Sequence, residues 1–137
     1  MMKLLIDTNV ILDYLVDRIP YAAHSEQIID LCVQGSAEGF LTASSATDIY
    51  YIMRKAVGQA KAMENLKVML GILNVAGVLR SDLLRAMELD MADFEDALAA
   101  ICAKRIKAEY IVTRNGKDFT GSPVKPITPD RLLRDFF

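Results

Sequence analysis

Short apolar runs of strand length alternate along this chain with longer segments of helical periodicity, and that alternation confines it to one fold class. The runs at 3–6, 39–42, 75–79, 109–113 and 123–128 read as strands, the most regular being Glu109-Tyr110-Ile111-Val112-Thr113. Between them, 10–16, 22–34, 46–57, 60–74, 81–89 and 93–107 carry helical patterns, and 129–137 adds a last one. Met63, Leu66, Leu70 and Leu73 recur at the steps of one helix face, as do Phe94, Ala97, Leu98, Ile101 and Cys102. Gly35 and Gly58 stop two of these helices, while Thr128 and Pro129 give the last one a cap and a pre-set first turn. Such alternation predicts βαβ units and a mostly parallel central sheet with helices on both faces, a three-layer α/β/α sandwich. It leaves the strand order open.

A chain of 137 residues has the size of one domain, 1–137, and its 53% hydrophobic content is enough for a core. No apolar run approaches the roughly 18–20 residues that span a bilayer, and the charge at Asp7 interrupts the opening before a secretory signal can form. The expectation is a cytoplasmic protein without a membrane segment. Cys32 and Cys102 lie inside helical patterns with no CxxC spacing, so they read as free thiols. His24 is the sole histidine, which weighs against histidine-centred metal sites and a Ser-His-Asp triad. Any metal chemistry falls to carboxylates. The net charge of −2 offers no general basic field for nucleic acid, so the placement of charges has to decide.

In open parallel sheets, ligands bind outside the carboxyl ends of the strands. Asp7 ends the first expected strand; Ser44, Ser45 and Asp48 follow the second, and Ser81 and Asp82 the third. Arg114, Asn115 and Asp118 follow the strand that ends at Thr113, and Asp93 and Asp96 open the helix before it. Asp93 and Asp96, three residues apart, are neighbours on one side of that helix. Crowded carboxylates repel one another unless a cation sits among them, and Mg²⁺ or Mn²⁺ suits oxygen ligands. Each acid also fits a plainer role at a helix N-terminus; Ser45 with Asp48, and Asp93 with Asp96, have the spacing of capping boxes. Their gathering on one sheet edge favours a site over separate caps.

Four blocks carry a family resemblance: Leu5-Ile6-Asp7-Thr8-Asn9-Val10, Thr42-Ala43-Ser44-Ser45-Ala46-Thr47-Asp48-Ile49, Asp93-Phe94-Glu95-Asp96-Ala97-Leu98 and Ile111-Val112-Thr113-Arg114-Asn115-Gly116-Lys117-Asp118-Phe119. In content and order the chain resembles the PIN domains over essentially its whole length, and its size is similar to the toxins of VapBC toxin–antitoxin pairs. The first and last blocks are the more specific. The resemblance implies an endoribonuclease that depends on Mg²⁺ or Mn²⁺ and hydrolyses RNA phosphodiester bonds. By motif position it makes Asp7, Asp48, Asp96 and Asp118 catalytic, with Asp7, Asp96 and Asp118 binding metal. Asp93 is a secondary candidate, and Thr8, Asn9 and Thr113 would orient the carboxylates. Asn115 stands where many relatives have aspartate, so it would position a water or phosphate. Asp48 stands where glutamate is usual, one methylene shorter, and would reach a metal through water.

Arg114 and Lys117, and Arg54 on the helix of Asp48, are the cations placed to meet RNA phosphates. Lys104, Arg105 and Lys107 read as charges that complement a helix C-terminus. Helices like those at 46–57 and 60–74 often build homodimers and receive an antitoxin in the family, and Tyr50, Tyr51 and the methionines there suit that use. Two other readings compete. A catalytically degenerate PIN module would bind RNA or protein without cutting, which Asp48 and Asn115 favour and Asp7, Asp96 and Asp118 oppose. A phosphotransfer receiver would want an acidic pair after the first strand, where this chain has Thr8 and Asn9.

Overall fold

The computed structural model describes residues 1–137. The chain runs β1 (Met2–Ile6), α1 (Thr8–Leu15), α2 (Ala22–Val33), β2 (Ala37–Thr42), α3 (Ala43–Val57), α4 (Gln59–Ile72), β3 (Asn74–Ala76), α5 (Arg80–Glu88), α6 (Phe94–Arg105), β4 (Tyr110–Val112), a 3₁₀ turn (Gly116–Phe119), β5 (Pro126–Ile127) and α7 (Pro129–Phe136). All strand pairings are parallel, in the order β3-β2-β1-β4-β5. The chain first builds outward from β1 through β2 to β3, then returns to the other side of β1 for β4 and β5. The reversal lies between β1 and β4, whose register pairs Ile6 with Val112.

Side-chain alternation along the strands divides the core into two layers. Leu4, Ile6, Leu41 and Val112 point to one face, under α1, α2, α3, α4 and α7. Leu5, Phe40 and Ile111 point to the other, under α5 and α6. The architecture is the expected three-layer α/β/α sandwich. Gly39 is the tightest point between strand and helix: a Cβ there would stand 2.6 Å from Cys32 Sγ and 2.7 Å from a Leu73 methyl. Both cysteines are free, Cys102 buried and Cys32 half-buried. No helix is long and apolar enough to cross a membrane.

Element boundaries depart from the sequence reading where tertiary pairing decides. The strand expected at 75–79 is β3, Asn74–Ala76, because β2 ends at Thr42, the partner of Ala76. Beyond that point the Gly77 carbonyl takes a hydrogen bond from Arg105. Helix α3 begins at Ala43, three residues early, capped by Thr42, whose hydroxyl accepts the Ser45 N–H at 3.1 Å. The expected Ser45–Asp48 capping box does not form, since both residues already lie inside the helix.

Candidate active site

The reversal point of an open parallel sheet is where a ligand has room to bind, because the loops after β1 and β4 diverge there and leave a crevice. Asp7 leaves β1 and caps α1, its Oδ1 accepting the Thr8 N–H at 2.9 Å. Its Oδ2 accepts the Thr113 hydroxyl at 2.8 Å and the Asn9 amide at 3.3 Å. Thr113, fully buried at the end of β4, also accepts the Asn9 amide and the Asn115 N–H. Asn9 Oδ1 in turn accepts the Arg114 N–H at 3.4 Å. The two loops are thus tied across the crevice, with the Asp7 carboxylate held at its floor.

Around it opens a cleft of about 510 Å³ lined by Asp7, Asp48, Glu95, Asp96 and Asp118, with Thr8, Asn9, Asn115, Leu12, Tyr51, Ile52 and Arg18. Asp48 comes from the second turn of α3, Asp96 from the first turn of α6 and Asp118 from the 3₁₀ turn. Five carboxylates face one cation across this space. Burial, followed by the charges of Asp93, Asp7, Asp118 and Glu95, pushes Asp96 up to about 6. Burial also raises Asp7, against the lowering effect of the Thr113 and Thr8 hydrogen bonds, and Asp118 adds to the rise. The site therefore holds negative charge at a cost that a cation would relieve.

No three acidic, histidine or cysteine side chains converge closely enough to hold an ion together. Asp7, Asp96 and Asp118 share the cleft and feel one another's charge, but they do not form a ready cage of three direct ligands. Three separate elements set these carboxylates around an open space. Hard oxygen donors spread around a polar cleft fit a hydrated Mg²⁺, which takes only one or two direct carboxylates and keeps several waters.

Thr8, Asn9, Asn115 and the four aspartates thus reach one cleft, and Thr113 supports it from below. Asp93 does not line it; its carboxylate caps α6, accepting the Asp96 N–H at 3.0 Å. Neither Arg54 nor Lys117 lines the cleft. Arg54 is six residues beyond Asp48, about 240° around the helix, and Lys117 is one residue, about 120°, from Asp118 in the 3₁₀ turn. Arg114 is turned toward α1, its Nε donating to Asp13 Oδ2 at 2.6 Å and its guanidinium 4.1 Å from the centre of the Tyr21 ring. Asp82 does not line the cleft either. It is buried against Arg105, whose Nε donates to it at 3.1 Å, so Arg105 is an ion-pair partner and not a free helix-end charge.

Sequence reasoning missed Arg18 and Glu95. A signal for Arg18 was present: Asp13 sits in the otherwise apolar stretch Val10-Ile11-Leu12-Asp13-Tyr14-Leu15, and a carboxylate there demands a cationic partner.

A sheet reversing beside β1, with acids delivered to its carboxyl edge by β1, α3, α6 and the loop after β4, defines the PIN-type arrangement. The sequence model described as PIN domain matches residues 3–117, and the chain belongs to that family. It is 25% identical to Ribonuclease VapC1 of Aquifex aeolicus over 135 residues, covering 95% of this chain and 92% of that protein. The fold is similar to that of DNA-bound VapBC from Salmonella typhimurium, with a TM-score of 0.73 and 14% identity over 94% of this chain and 99% of the other. It is also similar to VapC20 of Mycobacterium tuberculosis, a sarcin–ricin loop cleaving toxin, with a TM-score of 0.71 and 12% identity over 90% of this chain and 98% of the other.

Proposed function

We propose that the protein is a metal-dependent endoribonuclease acting as the toxin of a VapBC-type pair. The observation that carries this reading is the meeting of Asp7, Asp48, Asp96 and Asp118, drawn from four parts of the chain, in one cleft where Asp96 and Asp7 are hard to ionise. The relationship to Ribonuclease VapC1 along nearly the whole length supports the reaction class. Mg²⁺ or Mn²⁺ would be held by Asp7, Asp96 and Asp118, directly or through water, with Asp48 on the water side. When bound, such an ion acidifies a coordinated water and offsets charge that builds on a phosphate under attack.

The chain's own groups have distinct tasks in this reading. Thr113 and Asn9 orient Asp7 and keep one of its oxygens occupied, so that the carboxylate faces the cleft in a fixed pose. Asp93 fixes the first turn of α6 and thereby the position of Asp96. Asn115 presents an amide to the cleft where a further carboxylate would add repulsion. An antitoxin partner, a homodimer and a cytoplasmic setting complete the reading; the similarity to VapBC assemblies supports the first of these.

The test is direct. Purified protein cleaves single-stranded RNA with Mn²⁺ or Mg²⁺, EDTA stops it, and Asp7→Asn or Asp96→Asn removes it while the circular dichroism spectrum stays native. Cleavage that persists in EDTA or in both variants refutes the assigned chemistry.

A further inference from the structure

Asp13 is fully buried near the end of α1, yet it belongs to no core network and lies outside the acid cleft. Both of its oxygens are taken by arginines. Oδ1 lies 3.1 Å from Arg18 Nη1 in an ion pair and accepts from Arg114 Nη2 at 3.3 Å, and Oδ2 accepts from Arg114 Nε at 2.6 Å. One buried carboxylate facing two guanidiniums leaves a surplus positive charge, and the half-exposed Arg18 presents it at the cleft, where an anion can meet it. The two arginines differ in where they emerge. Arg18 keeps 44% of its side chain exposed and lines the acid cleft. Arg114, 21% exposed, stacks on Tyr21 and borders a smaller cavity of about 170 Å³ that adjoins the cleft at Asn115. The backbone reinforces this: the Arg18 N–H donates to the Asp13 carbonyl, and the Arg18 carbonyl accepts from Tyr21 and Ala22.

We propose that Asp13 is a positioning residue that holds Arg18 and Arg114 as a paired phosphate clamp, set to receive consecutive backbone phosphates of an RNA strand crossing the acid cleft. This rests on the nuclease reading for the identity of the polyanion. Guanidinium is the suitable group because its planar fork meets a carboxylate on one edge and a phosphate on another. The surplus charge on the clamp also answers a difficulty of the site, since five carboxylates would otherwise turn an RNA backbone away.

The experiment measures binding of a fluorescein-labelled single-stranded RNA to the full chain by fluorescence anisotropy, over a KCl series in CaCl₂, with thermal melting of every variant alongside. Arg18→Gln weakens binding about tenfold, as expected for a charge-assisted contact, and lowers the slope of log Kd against log salt by roughly 0.7. Arg114→Gln lowers the slope by a similar amount, and Arg18→Lys restores the slope with only part of the affinity. Asp13→Asn frees both arginines and weakens binding; should it fail to fold, the arginine variants decide. A purely structural role for the trio lowers melting temperatures but leaves affinity and salt slope at wild-type values, and that result overturns the proposal, as does a wild-type protein that does not bind the RNA. Cleavage is assayed separately with Mg²⁺ and Mn²⁺. Binding that follows the arginines without any cleavage sinks the nuclease reading alone, whereas cleavage with arginine-independent binding sinks the clamp alone.

Discussion

Asp82 and Asp96 are both aspartates that the fold draws inward at a helix N-terminus, and they meet opposite surroundings. Burial pushes Asp82 up, but Arg105, the Leu79 N–H and Cys102 outweigh it, and its carboxyl lies below the ordinary range. Burial pushes Asp96 up too, and every charge that follows is negative, so it stays up at about 6. The first carboxylate is finished by the protein's own arginine. The second is surrounded by its own kind, and only something outside the chain can complete it. The contrast separates an aspartate that builds the fold from one that serves a site, although the two share residue type and helix position.

The largest effect that sharpens this contrast is on activity. Asp96→Asn and Asp7→Asn each lower RNA cleavage at least a hundredfold, whereas Asp82→Asn leaves cleavage per folded molecule unchanged, as measured under single-turnover conditions. Next comes stability, with the order reversed. Asp82→Ala strands Arg105 and costs about 3 kcal/mol, read from urea unfolding. Asp96→Asn in EDTA at pH 7 gains about 1 kcal/mol, a value reduced for solvent access to the site.

The two aspartates also respond to pH with opposite signs. Asp96 has a raised value in the fold, so its favourable contribution is complete below its ordinary 3.8 and is lost as pH rises through about 6. The gain of Asp96→Asn is therefore present at neutral pH and vanishes below 3.8. Asp82 has a lowered value, so its contribution is complete above the ordinary 3.8 and is lost as pH falls through the still lower value in the fold. The penalty of an Asp82 variant shrinks in acid. Urea titrations at neutral and acidic pH read both. The smallest effect is at Asp48, where Asp48→Glu adds one methylene toward the cleft and changes cleavage by no more than about threefold.

Much of this was legible in the residues alone. The unbroken apolar run Leu4-Leu5-Ile6 marks a strand buried on both faces, and Ala97, Leu98, Ile101 and Cys102 of α6 are buried as their spacing predicts. The α4 expectation is corrected: Met63 and Leu70 are exposed, and Ala62 and Met69 are buried in their place. The cleft acids were legible because the parallel sheet has only one edge where ligands collect, and Asp7, Asp48, Asp96 and Asp118 fall there. What was hidden depends on pairing across the chain. Asp82 follows β3 as Asp7 follows β1, yet Arg105, 23 residues away, claims it. Arg114 follows β4 as a phosphate contact should, but the partner that fixes its guanidinium, Asp13, lies 101 residues earlier. Strand order, likewise, is a property of pairing that no local pattern carries.

If the cleft carboxylates are incomplete without a divalent cation, calorimetric titration of the metal-free protein with Mn²⁺ reads it directly. The expected result is saturable binding of Mn²⁺ that Asp7→Asn and Asp96→Asn abolish and Asp82→Asn leaves intact. A protein that takes up no Mn²⁺, or whose binding survives both cleft substitutions, contradicts it.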